Sequence, residues 1–105
     1  MSAKVIFVDL DGTLCTEEKT FDRPLATPLP GAREGLNRIH EAGNTVIIWT
    51  ARGWEQYRVT KDWLDRYGFK YHQILMGKPI ATLFIDDRAR RFEGWDKDYL
   101  ASQDV

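Results

Sequence analysis

The stretch Lys4-Val5-Ile6-Phe7-Val8-Asp9-Leu10-Asp11-Gly12-Thr13 decides how this chain is read: an apolar run ends in two carboxylates one residue apart, and a glycine follows. Val5 to Val8 are apolar on both faces, as expected of a buried parallel strand, which puts Asp9 and Asp11 at its carboxyl end. Open α/β sheets bind their ligands there. Side chains at i and i+2 of a strand point the same way, so the two like charges stand several ångströms apart. Their repulsion favours a bound cation, or a proton held by one of them. Asp-Gly is also a common turn pair, so a capped strand and a turn would explain the motif if nothing else in the chain joined it.

Outward from this motif, Pro24, Pro28 and Pro30 mark residues 16–29 as a loop or small flap over the strand end. From Gly31 to Ala42, Ala32, Leu36 and Ile39 fall at helical spacing, and Gly43 supplies a stop. Thr45 to Trp49 form a second β run ending at Thr50. Glu55 to Tyr67 read as a second helix with Val59, Trp63, Leu64 and Tyr67 inward and Gly68 as its stop. Tyr71 to Leu75 and Thr82 to Ile85 read as two further strands, the latter running into Asp86-Asp87. Alternating β and α elements predict a small Rossmann-like, doubly wound, mainly parallel sheet with flanking helices. The fourth strand would return to the far side of the first, and Asp9, Asp11, Asp86 and Asp87 would converge. The link 76–81 is short for a parallel crossover, which usually takes a dozen residues or more.

With 105 residues, 43% hydrophobic and 30% charged, the chain reads as a single α/β domain over 1–105 with one core. A net charge of −1 argues against broad nucleic-acid binding, and Arg88, Arg90 and Arg91 read as a solvated face. The single cysteine, Cys15, excludes an internal disulfide, and no apolar run has membrane length. The first apolar run is too short for a signal peptide and is broken by Asp9, so a cytoplasmic location is the expectation. Without clustered partners His40 and His72 read as structural, and no base is evident to activate Cys15. Trp49, Trp63 and Trp95 read as core or covering residues.

Asp9-Leu10-Asp11-Gly12-Thr13, then Thr50, then Lys78, then Asp86-Asp87, taken in this order along the chain, resemble the haloacid dehalogenase superfamily of phosphohydrolases. The wording Thr50-Ala51-Arg52-Gly53, Tyr71-His72-Gln73-Ile74-Leu75-Met76-Gly77-Lys78-Pro79 and Ile85-Asp86-Asp87 is similar to small capless members associated with bacterial surface-polysaccharide and sugar-nucleotide pathways. The resemblance implies that Asp9 is the nucleophile that takes up the phosphoryl group. It makes Asp11 the acid that protonates the leaving oxygen and later activates water. It gives Thr50 a hydroxyl contact to a phosphoryl oxygen and makes Lys78 the cation that pairs with Asp9. Mg²⁺ would be held by Asp9, the main-chain carbonyl of Asp11, and Asp86, with Asp87 a direct or water-mediated ligand. Such a set suits an ion that prefers oxygen ligands and keeps several waters.

On the substrate side stand Gly12, whose turn would aim backbone amides at the phosphate, Thr13, which would fix that turn, and Ala51 and Arg52. Arg52 lies just before the second helix, where its charge and the helix N-terminus could jointly hold an anionic group. Trp54 and Tyr57 could form a wall for a sugar or base. The intervals between motifs are filled by core elements, so no cap domain fits. The expected partner is a small phosphorylated metabolite, with nucleic acid and membrane disfavoured and a homo-oligomer left open. The alternatives are a nucleic-acid 3′-phosphatase, a receiver-type signalling domain, and a catalytically silent binding module. A receiver would carry its adjacent acidic pair after the first strand, whereas here the adjacent pair comes last.

Overall fold

The structure is a computed structural model in which residues 3–96 are described. Strand β1 (Val5–Asp9) lies parallel to β2 (Thr45–Trp49), in register from Val5 opposite Thr45 to Asp9 opposite Trp49. Strand β3 (Gln73–Leu75) continues the sheet parallel to β2, with Leu75 opposite Trp49. The order is β1-β2-β3. All three strands therefore end at one level, and the residues just beyond them, Leu10, Thr50 and Met76, begin the loops that build the site.

Helix α1 (Ala32–Glu41) connects β1 to β2 and buries Ala32, Gly35, Leu36 and Ile39, the expected apolar stripe widened by one glycine. It stops where the Gly43 amide bonds back to the His40 carbonyl with φ at +93°, a conformation glycine adopts without penalty. Helix α2 (Tyr57–Arg66) follows a 3₁₀ turn at Trp54–Gln56 and buries Thr60, Trp63 and Leu64. The strand order advances without reversing, so right-handed crossovers put both helices on the same face of the sheet. There Val8, Val46, Ile48 and Ile74 meet Leu36, Ile39, Trp63, Leu64 and Phe69 in one core. Trp63 stacks on Phe69 at 5.4 Å, and its Nε1 donates to the Ala26 carbonyl at 2.8 Å. Arg66 likewise donates to the Pro24 carbonyl. Residues 16–29, which include a 3₁₀ helix at Thr20–Leu25, are thus tied to α2 as a pinned flap.

The strand expected at Thr82–Ile85 is not formed: this stretch has no strand pairing, and Leu83 and Ile85 are 72% and 94% exposed. The physical reason is its connection. After β3, Gly77 turns at φ +79° and the chain is stitched back to the β2 loop by Gly77 N to Arg52 O and Lys78 N to Thr50 O, both 2.9 Å. Too few residues remain before Thr82 for a parallel crossover past β2 to the far edge of β1. Among the described residues the sheet therefore stops at three strands. The second edge of β1 is open, leaving Val5 65% and Phe7 48% exposed. On the uncovered face Phe7 meets Trp49 edge-on at 5.7 Å, and Phe84 lies 6.5 Å from Trp49.

Candidate active site

Strand alternation fixes the two carboxylates: Leu10 turns into the core with no exposure, and Asp9 and Asp11 on either side of it turn outward. Each has its own cation. Asp9 Oδ1 lies 3.5 Å from Lys78 Nζ, and Asp9 Oδ2 accepts from Thr13 Oγ1 at 3.0 Å. Asp11 is gripped by Arg52, with Nε donating to Oδ2 at 2.9 Å and Nη2 to Oδ1 at 2.7 Å. Lys78 is held over two ring faces, 5.0 Å from the Trp49 centroid and 5.3 Å from that of Phe84, which fixes a flexible side chain at the site.

The loop after β1 is closed on itself. Thr13, Leu14 and Cys15 all donate their amides to the Leu10 carbonyl, and the Gly12 amide donates to Cys15 O at 2.8 Å, with Gly12 at φ +83°. Gly12 makes the expected tight turn, but these amides are consumed within it and do not face a phosphate. Thr13 instead acts through its hydroxyl on Asp9. Thr50 stands in the floor at 1% exposure, where its Oγ1 accepts from the Arg52 amide at 3.2 Å. This hydroxyl ties the loops together at the floor of the site. Ala51, beside it, is exposed.

Arg52 departs furthest from its expected role. Its side chain is 2% exposed and turned inward onto Asp11 and Thr60. Asp86 and Asp87 lie on the exposed segment that follows the unformed strand, and Asp86 Oδ1 accepts from the Arg88 amide at 2.8 Å. Among the described residues no group of three or more acidic, histidine or cysteine side chains is gathered to hold a metal. Asp9 offers the hard oxygen Mg²⁺ prefers; the contribution expected of Asp11 is its main-chain carbonyl, and its carboxylate is engaged by Arg52. In this placement Asp86 and Asp87 do not gather with Asp9 into a metal-ligating cluster.

One participant, Thr60, was not anticipated from the sequence. Thr60 Oγ1 accepts from Arg52 Nη1 at 3.0 Å; a threonine on the inward stripe of α2 was the available signal. Trp95, expected as a core or covering residue, donates its Nε1 to the Thr13 carbonyl at 2.6 Å while its ring lies against Gly35 of α1. Cys15 behaves as expected: burial first, then the neighbouring Asp11 charge, push its thiol up to about 12 against the opposing pull of Arg52, so it stays protonated and unreactive. His72 is structural, its Nδ1 accepting the Val46 amide at 3.0 Å and its ring stacked on His40. Arg88 and Arg90 are exposed, as a solvated face requires.

A parallel α/β sheet with two aspartates flanking a buried residue at the end of its first strand, each met by a cation from a later loop, defines a class of domain built to handle an anion at the strand ends. The comparisons with known proteins support the resemblance to haloacid dehalogenase-type phosphatases. It is 46% identical over 52 residues to the pyridoxal phosphate phosphatase YbhA of Escherichia coli (strain K12), a match covering 50% of this chain and 16% of that protein. The chain thus spans about a sixth of the length of that curated relative. A crystal structure of a target protein from Vibrio cholerae superposes with a TM-score of 0.74 at 29% identity, over 97% of this chain and 96% of that one. The D,D-heptose 1.7-bisphosphate phosphatase of B. bronchiseptica, solved with magnesium and phosphate, superposes with a TM-score of 0.58 at 19% identity, over 99% of this chain and 65% of that one, and shares the fold. No family model matches the chain.

Proposed function

We propose that this domain hydrolyses a phosphate monoester through a phosphorylated Asp9. The observation that carries the reading is the division of labour between the two carboxylates: Asp9 faces Lys78 and Thr13, and Asp11 is held apart by Arg52. Asp9 attacks phosphorus, and the bond to the ester oxygen breaks. Asp11 delivers the proton the departing oxygen needs, a contribution typically of about 10²–10⁴-fold. Water then attacks the aspartyl phosphate and gives its proton to Asp11, releasing inorganic phosphate and restoring both carboxyl groups. Lys78 offsets the charge of the incoming dianion, and Thr13 keeps Asp9 aimed.

Mg²⁺ belongs to the proposal as the cofactor, and when bound it supplies neutralisation of nucleophile and phosphate. The neighbour solved with magnesium supports it.

The substrate class we favour is a phosphorylated sugar or related small polar metabolite. Trp54 and Tyr57 stack at 6.1 Å and are exposed, and the Trp54 indole nitrogen lies beside Gly77, next to Lys78, so a flat or sugar-like leaving group has a wall to lie on. The two phosphatase relatives, named for pyridoxal phosphate and a heptose bisphosphate, act on small molecules by those names, and a net charge of −1 suits a metabolite better than a nucleic-acid end. No helix of the described residues is long and apolar enough to cross a membrane. The test is a panel of phosphate esters with and without Mg²⁺: release of phosphate that disappears on chelation and in Asp9→Asn is expected. Activity indifferent to chelation refutes the cofactor, and ordinary turnover by Asp9→Asn refutes the nucleophile.

A further inference from the structure

Arg52 occupies the position at which the sequence leads one to expect a cation that grips the substrate, yet every donor it commits is directed into the protein. From this we infer that Arg52 is the positioning residue for Asp11, fixing the plane of its carboxylate for proton transfer, and that it makes no contact with the substrate's leaving group. The inference rests on the proton-carrying role proposed for Asp11.

The geometry is specific. Nε and Nη2 form two side-by-side bonds to the two carboxylate oxygens, at 2.9 and 2.7 Å, the bidentate arrangement that sets orientation as well as distance. Nη1 is committed at 3.0 Å to Oγ1 of Thr60, a fully buried residue of α2. The Arg52 backbone is tied on both sides, its amide to Thr50 Oγ1 and its carbonyl to the Gly77 amide. Swinging the guanidinium toward solvent would break the ion pair and leave Thr60 without its donor, so Arg52 is not poised to follow a ligand. Asp11 has the complementary exposure: its side chain is 23% exposed while that of Arg52 is 2%. Arg52 covers the inward side of the carboxylate and the Cys15 thiol donates to Oδ1 at 3.6 Å, so Oδ2 of this partly exposed side chain is the oxygen that meets the arriving ester oxygen. A chain of contacts from α2 through Thr60 and Arg52 thus sets the angle of Asp11. Lysine cannot reproduce it, because a single ammonium cannot span both oxygens and reach Thr60.

The test uses two esters that differ in the need for a proton. The p-nitrophenolate of p-nitrophenyl phosphate departs unaided, whereas the alkoxide of benzyl phosphate does not. With Arg52→Lys, kcat/KM toward benzyl phosphate is expected to fall about 10²-fold, the penalty of a misplaced catalytic group, and toward p-nitrophenyl phosphate by less than about 10-fold. The second step also needs Asp11, so a burst of p-nitrophenolate close to one per protein should precede slow turnover. Thr60→Val, isosteric and leaving the ion pair in place, should shift the two esters in the same order by a smaller factor with an unchanged near-UV spectrum, and it decides the matter if Arg52→Lys does not fold. Equal losses on both esters would mean a purely structural role and overturn the inference. So would unchanged kcat/KM on both, as a residue gripping an anionic leaving group predicts. A wild-type protein inert toward every ester of the functional panel would instead refute the phosphatase reading, and this inference with it.

Discussion

Replacing Asp11 by Asn removes a negative charge from beside a guanidinium whose side chain is 2% exposed, while keeping the shape of the side chain almost unchanged. One carboxamide oxygen can still accept from Arg52. The amide nitrogen must face one of its donors, so one of the two short bonds becomes a contact between N–H groups. Breaking a fully buried pair by removing one partner costs about 3–5 kcal/mol, because the remaining charge is left uncompensated. Asp11 is 23% exposed, so water reaches part of the site and the cost falls below that range. A loss of about 2–3 kcal/mol is expected, or roughly 8–12 °C in Tm for a domain of this size. Urea unfolding followed by circular dichroism measures it. The companion variant Asp11→Asn with Arg52→Met, which removes the stranded charge as well, should recover part of the loss. An Asp11→Asn protein within about 0.5 kcal/mol of wild type would refute the picture of Arg52 as a buried charge that depends on Asp11.

Three further outcomes follow from other parts of the molecule. Cys15, its thiol pushed up to about 12 by burial, should resist iodoacetamide at pH 8 in the native protein and react at once in urea. Because the folded state holds that proton more tightly than the unfolded chain, whose thiol titrates near 9, its contribution to stability is complete below about pH 9 and is lost as pH rises toward 12. Gly35→Ala would drive a methyl group into Cε3 of Trp95; a destabilisation of about 1–3 kcal/mol is expected alone, and none, or a slight gain from helix propensity, in a Trp95→Ala background. Asp86→Ala should raise the Mg²⁺ concentration needed for half-maximal activity, and an unchanged magnesium titration would assign Asp86 elsewhere.

Local periodicity and chemistry were legible before any coordinates. Ala32, Leu36 and Ile39 in α1, and Trp63 and Leu64 in α2, face the core that their spacing implied, and Val5–Asp9 is a parallel strand with its carboxylates at the end. The pairing of Asp9 with Lys78 was implied by the family resemblance, and the two lie 3.5 Å apart. Thr82–Ile85 misled because an apolar run looks the same whether or not a partner strand can be reached. The crossover that would deliver it depends on where Gly77 and Lys78 are tied, a contact between distant loops. Arg52 misled for a related reason. Its position before α2 is compatible with either direction of its side chain, and only the placement of Asp11, 41 residues away, turns it inward. The amides of the Gly12 loop were expected at the phosphate because glycine permits the turn, but the Leu10 carbonyl captures three of them.

The central claim is a covalent phosphoryl group on Asp9. Mixing the protein with an ester it hydrolyses in Mg²⁺, quenching in acid within one turnover and mapping the adduct by peptide mass spectrometry tests it most directly. A hydroxylamine-labile phosphoryl group on Asp9, present in wild type, accumulating in Asp11→Asn with a p-nitrophenyl ester and absent from Asp9→Asn, is the result expected. Turnover by wild type with no adduct at any time, or an adduct on another residue, would contradict it.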